Sequence, residues 1–547
     1  MNTQHSTLEI LDAIIVGAGF SGLYQLYCLR EKLGLTAMVL EAGHGVGGTW
    51  YWNRYPGARC DSESHVYCYT FSKVLTDEWD WSERYPGTAE IVAYLNHVAD
   101  RFELRRSIKF NSRVQLAHFN EQDNFWEVGT DNGDRYRARF LISAVGCLSS
   151  ANIPDIDGLG DFEGECYHTG QWPHKGVQFE GKRVGQIGTG STGIQSAPVI
   201  AQTAQQLTVF QRTANYSVPA RNHILSDENR AEHKRKAAAT RELTRSNGNG
   251  HGWRVNSQKA LETSTEEREA LYEEAWQNGG LKFRATFSDL LSNKQANATA
   301  TEFIQNKIRQ LVENPQTATS LADIDHPYAA KRPPIDTHYF EIYNEDNVTL
   351  VDLRKTPIIR ITKSGVTCRS SDNDARESET HHELDILVFA TGYDAITGSL
   401  LRMDIRGRDG LTLSDAWTTG PRNNLGLQVA GFPNLFTITG PGSPCVLTNM
   451  PAAIEQHVEW ISDCIAYLTK NKFTTIESPE TSVESWVNEV NAEADKTLLP
   501  TVRHSWYLGA NIPGKPRVFM PYAGGLDRYR AICERVASEN YAGFIIS

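Results

Sequence analysis

Short apolar runs bounded by glycine punctuate a chain that is otherwise strongly polar. Ala13-Ile14-Ile15-Val16 leads into Gly17, and Ala37-Met38-Val39-Leu40 follows after room for one helix. The arrangement recurs as Val184-Gly185-Gln186-Ile187 before Gly188, with Leu207-Thr208-Val209-Phe210 beyond it. Runs of this length without alternation are the pattern of strands covered on both faces of a parallel sheet. Phe140–Gly146 and Leu384–Asp394 each predict a further buried strand ending in a tight turn, one after each glycine-rich unit. Alternation within Ser107–Asn132, as in Phe125-Trp126-Glu127-Val128, predicts an antiparallel insertion instead. Between Arg221 and Asn314 the pattern changes to charged runs at helical spacing, Glu266–Gln277 and Thr299–Glu313, with loops at Asn247–Gly250 and Asn278–Gly280. Trp253, Leu271, Trp276, Leu290, Phe303 and Ile308 need burial, so this segment reads as a helical insertion rather than a linker. Phe432–Gly440 then reads as a returning strand that feeds a helix at Ala452–Leu468.

Two glycine turns sharpen this outline. Gly17-Ala-Gly19-Phe-Ser-Gly22 and Gly188-Thr-Gly190-Ser-Thr-Gly193 both follow an apolar run and open a helix. Such glycines let the backbone approach a pyrophosphate, which sits on the positive helix N-terminus. Glu41 lies 19 residues beyond Gly22, where a carboxylate accepts from a ribose hydroxyl. Arg212 lies 19 residues beyond Gly193, where a cation suits a 2′-phosphate. The first unit is therefore read as an FAD site. The second, with Ser191 and Thr192 inside its turn, is read as an NADPH site. The expected fold class is α/β, with two Rossmann-like dinucleotide-binding domains and a helical insertion in the NADPH domain. Residues 1–149 and 395–547 are assigned to the FAD domain, 150–220 and 335–394 to the NADPH domain, and 221–334 to the insertion.

Composition narrows the setting. At 547 residues the chain exceeds one ordinary core. A net charge of −12 argues against a nucleic-acid partner. Nine cysteines with no CxxC pair indicate neither a disulfide framework nor a metal site, and fit a reducing cytoplasm. No apolar run approaches the roughly 20 residues of a membrane span. Met1–Leu11 is polar and too short for a signal peptide. The oligomeric state stays open, with a monomer compatible.

Two longer motifs select among flavin enzymes. Gly48-x-Trp50-x-x-x-x-Tyr55-Pro56-Gly57-x-x-x-Asp61 and Phe162-x-Gly164-x-x-x-His168-x-x-x-Trp172-Pro173 resemble the two fingerprints of type I Baeyer–Villiger monooxygenases. The likeness runs from the first glycine turn to Pro513–Pro521, and is greatest to the branch with phenylacetone, steroid and cycloalkanone monooxygenases. N-hydroxylating and flavin-containing monooxygenases carry a related motif with Phe or Tyr, then Lys or Arg, where Trp172-Pro173 stands. The resemblance implies NADPH- and O2-dependent conversion of a ketone to an ester or lactone through an FAD C4a-peroxide. It implies that Arg332, in Tyr328-Ala-Ala-Lys331-Arg332-Pro333, stands beside the flavin and stabilises that anion. Arg suits the task because it holds its proton at working pH. Asp61 is the implied partner of Arg332 through a bidentate contact.

The same resemblance implies further sites. Gly48, Thr49 and Trp50 contact the flavin, Lys331 and Thr213 join Arg212 on NADPH, and Trp506 reaches the nicotinamide ribose. Cys147, Cys445, Val446, Leu447 and Met450 would line the ketone pocket, although both cysteines depart from the residues usual in close relatives. His168 reads as a structural hydrogen-bonder and Trp172 as a packing anchor. Three rivals stay open: an N- or S-oxygenating monooxygenase, a flavin disulfide reductase, and a non-catalytic FAD- and NADPH-binding sensor. A reductase needs a redox cysteine pair, for which Cys60 and Cys68 are wrongly spaced. A sensor has no use for Arg332 and Asp61.

Overall fold

A computed structural model describes residues 10–371 and 377–547. Most of the polar N-terminal stretch, residues 1–9, lies outside the described residues. Two sheets organise the chain, the first mixed and the second parallel. In the first, β1 (Ile10–Val16) lies between β2 (Ala37–Leu40) and β6 (Arg135–Ser143), parallel to both. Alternate residues of these strands enter different cores. Ala13, Ile15, Phe140 and Ile142 meet the helices Phe20–Tyr27 and Met450–Asn471, while Ile14, Val16 and Leu141 meet Trp126 and Trp417 on the other face. Burial on both faces is what the unbroken apolar runs require.

The alternating stretch forms β4 (Val114–Asn120) and β5 (Phe125–Thr130), antiparallel to each other, with β5 antiparallel to β6. It is not a separate insertion. Its first residues form β3 (Ile108–Lys109), parallel to β2, and the hairpin continues the same sheet. Two later strands, Asp404–Arg406 and Leu435–Thr437, return to this sheet beside β4 and β6.

The second sheet is wholly parallel, in the order Val348–Asp352, β9 (Gln206–Gln211), β8 (Arg183–Ile187), Ile386–Phe389, β7 (Glu165–His168). Ile386 and Val388 face a core that continues into the helical segment through Trp276, Phe283, Leu290 and Phe303. Leu387 and Phe389 face an antiparallel meander formed by Ile358–Thr362, Gly365–Ser371 and Glu377–Glu383. The helical segment contains helices at Asp227–Arg245, Thr265–Asn278, Lys294–Leu311 and Pro315–Ala322. Among the described residues, no helix is long and apolar enough to cross a membrane.

Candidate functional site

Both glycine turns are shaped for a pyrophosphate. Gly17 has φ +106°, and a Cβ there would lie 2.7 Å from Ala144 O, so the turn closes on the end of β6. Gly19 faces Gly48, where an added Cβ would stand 2.8 Å from the Gly19 Cα. Gly48 opens the short helix Thr49–Trp52, which brings Thr49 and Trp50 beside the first turn. Glu41 is 4% exposed and accepts from Ala18 N and Gly43 N, each at 2.7 Å. Burial pushes its carboxyl up, against the pull of those donors. Its remaining lone pairs are those a ribose hydroxyl would meet. In the second turn Gly188 has φ +112° and a Cβ would overlap Ala390 O, whereas nothing lies within 4 Å of a Cβ at Gly190. That open concavity caps the helix Ser191–Ala201 and fits a phosphate approaching its N-terminus.

Cations gather beyond this turn. Thr189 Oγ1 donates to Thr213 O at 2.8 Å, tying the turn to the residue after the exposed Arg212. The Lys331 ammonium is shifted down by burial, with Asp325 opposing and Arg212 reinforcing. His504 is shifted down by burial, then by Arg212, Arg503 and Lys331. Arg212, Lys331, Arg503 and His504 therefore act on one another through space. Asp325 opposes them, and the excess of positive charge suits a dianion. Sequence reading missed Arg503 and His504, although they lie just before Trp506. Trp506 itself is partly buried against Tyr507, ring centres 4.5 Å apart.

Arg332 and Asp61 meet although 271 residues separate them. Arg332 Nε donates to Asp61 Oδ2 at 2.5 Å and Nη2 to Oδ1 at 2.6 Å, while Nη1 donates to Val446 O at 2.8 Å. Burial weakens the guanidinium's hold on its proton, but the Asp61 charge and hydrogen bonds outweigh it and raise its pKa. Asp61 arrives on the fingerprint loop, which docks on the second glycine helix. Tyr55 Oη donates to Gln195 Oε1 at 2.8 Å, Gln195 Nε2 donates to Arg59 O at 3.1 Å, and a Cβ on Gly57 (φ +80°) would overlap Gln195 O. Gly57 is thus required by a close approach between the two nucleotide units as well as by its φ.

Val446 belongs to the one-turn segment Cys445–Leu447 that precedes the helix Met450–Asn471. Leu447 and Met450 are partly exposed, whereas Cys147, Cys445 and Val446 are buried. All nine cysteines are free, yet two of them meet. Cys147 Sγ and Cys445 Sγ lie 3.0 Å apart, across 298 residues of chain. The Cys445 S–H stabilises the Cys147 thiolate, so Cys147 is shifted down while the second proton is held more tightly on Cys445. Cys445 is 0% exposed, and its thiol faces Cys147 rather than an open pocket wall.

His168 is buried, its Nδ1 accepting from Gly170 N at 2.9 Å, and burial keeps its pKa low. Trp172 packs between Tyr167 and Phe179, with ring centres 5.5 and 6.2 Å away. Among the described residues, neither hydrogen-bonds to Arg332 or Asp61.

Residues 12–223 match a family described as flavin-binding monooxygenase-like. The chain is 42% identical to a cyclohexanone 1,2-monooxygenase of Acinetobacter sp., over 98% of this chain and 96% of that protein. It is 41% identical to a phenazine N-monooxygenase of Lysobacter antibioticus, over 98% of this chain and 97% of that protein. Among solved structures, an oxidised steroid monooxygenase bound to NADP superposes with a TM-score of 0.92 at 50% identity, covering 98% of this chain and 99% of that one.

Proposed function

The chain belongs to the Baeyer–Villiger monooxygenases, and from that premise we propose which of its residues perform the reaction. It is an FAD- and NADPH-dependent enzyme that inserts one oxygen atom of O2 beside a ketone carbonyl, giving an ester or lactone. The flavin, when bound, supplies hydride acceptance and oxygen activation, and the protein supplies binding, orientation and charge. Gly17, Gly19, Gly22, Glu41 and Gly48–Trp50 hold the FAD. Gly188–Gly193, Arg212, Thr213 and Lys331 hold NADPH, with Trp506 toward its nicotinamide end.

Arg332 is the fixed cation of the reaction. Its clamp between Asp61 and Val446 O sets the guanidinium plane before any ketone arrives, and this observation carries the assignment. A preorganised charge stabilises negative charge as it develops without reorganising at the moment of reaction. Arg332 also keeps its own proton, so it does not quench a nucleophilic oxygen. The bond to Val446 makes the cation and the pocket segment one unit, with Leu447 and Met450 as adaptable apolar walls for the ketone. A cyclic ketone is the substrate class nearest to the relatives' own. Nine free cysteines support a reducing cytoplasm as its setting.

Nitrogen oxygenation is the second reading, because a phenazine N-monooxygenase is nearly as similar as the ketone enzyme. Incubation with NADPH and cyclic, aryl and steroid ketones, beside a heteroaromatic amine, separates the two. Ester or lactone matching synthetic standards is the expected product. An N-oxide with no ester from any ketone would replace the reading.

A further inference from the structure

A second guanidinium lies near enough to Arg332 to feel its charge. Arg284 stands in the single turn Leu281–Ala285, its Cζ 5.6 Å from the centre of the Trp253 ring. Trp253 stacks on His251 with ring centres 5.0 Å apart and planes 6° from parallel. Their loop is pinned against the pocket segment. Asn247 Nδ2 donates to His251 O at 2.7 Å, and Asn449, next to Met450, donates its N–H to Asn249 O at 2.9 Å. On the other side, Phe283 packs edge-on against Tyr328 at 5.5 Å, and Tyr328 leads within four residues to Arg332.

The charges of this layer do not balance. Arg332 has Asp61. Arg284 makes no salt bridge and no hydrogen bond through its guanidinium among the described residues. His251 is 2% exposed and its Nε2 has no partner. Burial lowers the Arg284 pKa and the Arg332 charge lowers it further, with Tyr507, Tyr328 and Asp61 acting the other way. Arg284 therefore lies within electrostatic reach of the reaction site. A partly buried cation without a counter-ion is a costly arrangement that a bound carboxylate would relieve. The planar guanidinium fork matches a carboxylate bidentately, while the Trp253 face holds its plane.

We propose that Arg284 is a substrate-recognition residue which binds the carboxylate of a ketone whose carbonyl is presented to Arg332. The natural substrate is then a keto acid rather than a neutral ketone. This assignment rests on the Baeyer–Villiger reading.

The test compares 4-oxocyclohexanecarboxylate with its methyl ester on FAD-loaded enzyme with NADP+. Binding is measured by calorimetry, and the KM for each ketone by NADPH oxidation and lactone yield. The parent should prefer the acid, and Arg284→Leu should raise Kd and KM for the acid about ten- to a hundredfold, the range for a charge-assisted hydrogen bond. The ester should be unmoved, and Arg284→Lys should recover part of the acid's affinity. Equal affinity of the parent for acid and ester, or equal loss of both in Arg284→Leu, would overturn the proposal while leaving the ketone chemistry intact. Arg284-dependent binding of the acid with no lactone from either ketone would overturn the reaction reading and leave the site standing.

Discussion

Asp61→Asn isolates what the clamp on Arg332 contributes. The substitution keeps side-chain shape, removes the charge, and replaces one of two accepting oxygens by an amide N–H that opposes the guanidinium. Arg332 would retain its contact to Val446 O and one neutral acceptor in place of the contacts at 2.5 and 2.6 Å. With each of two charge-assisted hydrogen bonds worth about 1.5–3 kcal/mol and the one neutral bond that remains about 1, the loss is about 2–5 kcal/mol of orientation. If all of it falls on oxygen transfer, the ester-forming rate drops roughly 30- to 5,000-fold at about 1.36 kcal/mol per decade. Hydride transfer uses the NADPH cradle and should stay near the parent rate. Stopped-flow reduction of the flavin under anaerobic conditions reads the first half-reaction. Ester formed per NADPH consumed, with hydrogen peroxide measured alongside, reads the second. An unchanged ester yield, or loss of both half-reactions in equal measure, would refute the reasoning.

Arg212→Ala should raise the KM for NADPH about ten- to a hundredfold and narrow the preference over NADH, since one charge-assisted phosphate contact is lost. Steady-state kinetics with both nucleotides checks this, and an unchanged ratio would place the 2′-phosphate elsewhere. Gly57→Ala should lower the thermal midpoint and weaken NADPH binding together, because its Cβ would overlap Gln195 O from a left-handed φ of +80°. A variant as stable and as tight as the parent would show that the loop yields freely. Met450→Leu, nearly volume-conserving, should cost below about 1.5 kcal/mol in stability yet alter the product ratio from an unsymmetrical ketone. Identical ratios across several ketones would remove this residue from the pocket.

Much of the fold was legible because a covered parallel strand leaves a local signature. Ala13–Val16 and Leu207–Phe210 announce themselves without reference to any partner, and the glycines after them mark turns that only glycine accommodates. The polar meander of Ile358–Thr362, Gly365–Ser371 and Glu377–Glu383 was not legible. Stretches such as Glu379-Thr380-His381-His382 show no apolar periodicity, and the meander buries mainly Ile361, Val366 and Cys368. The helix Asp227–Arg245 escaped for a similar reason, since Thr244 is its only buried residue and its support is a capping box at Ser226 and Asn229. In the candidate site, glycine turns and their acidic or basic partners follow fixed offsets and could be read directly. The Cys147–Cys445 contact and the layer of Arg284, Trp253 and His251 could not. Each joins segments remote in sequence, and no spacing rule reports a contact that only tertiary packing creates.

The docking of the first fingerprint on Gln195 has a consequence for modular exchange. The helix Ser191–Ala201 begins where a pyrophosphate would sit and, one turn later, carries the side chain that Tyr55 and Arg59 grip. The two nucleotide units are thus keyed rather than merely adjacent. Nucleotide preference at Arg212, which takes no part in that grip, can drift or be engineered freely. A whole nucleotide unit transplanted from a relative cannot, unless its helix offers an amide at the Gln195 position and bare backbone against Gly57. Recombination among these enzymes should therefore succeed at crossover points that inherit the loop 55–61 and the helix 191–201 from the same parent.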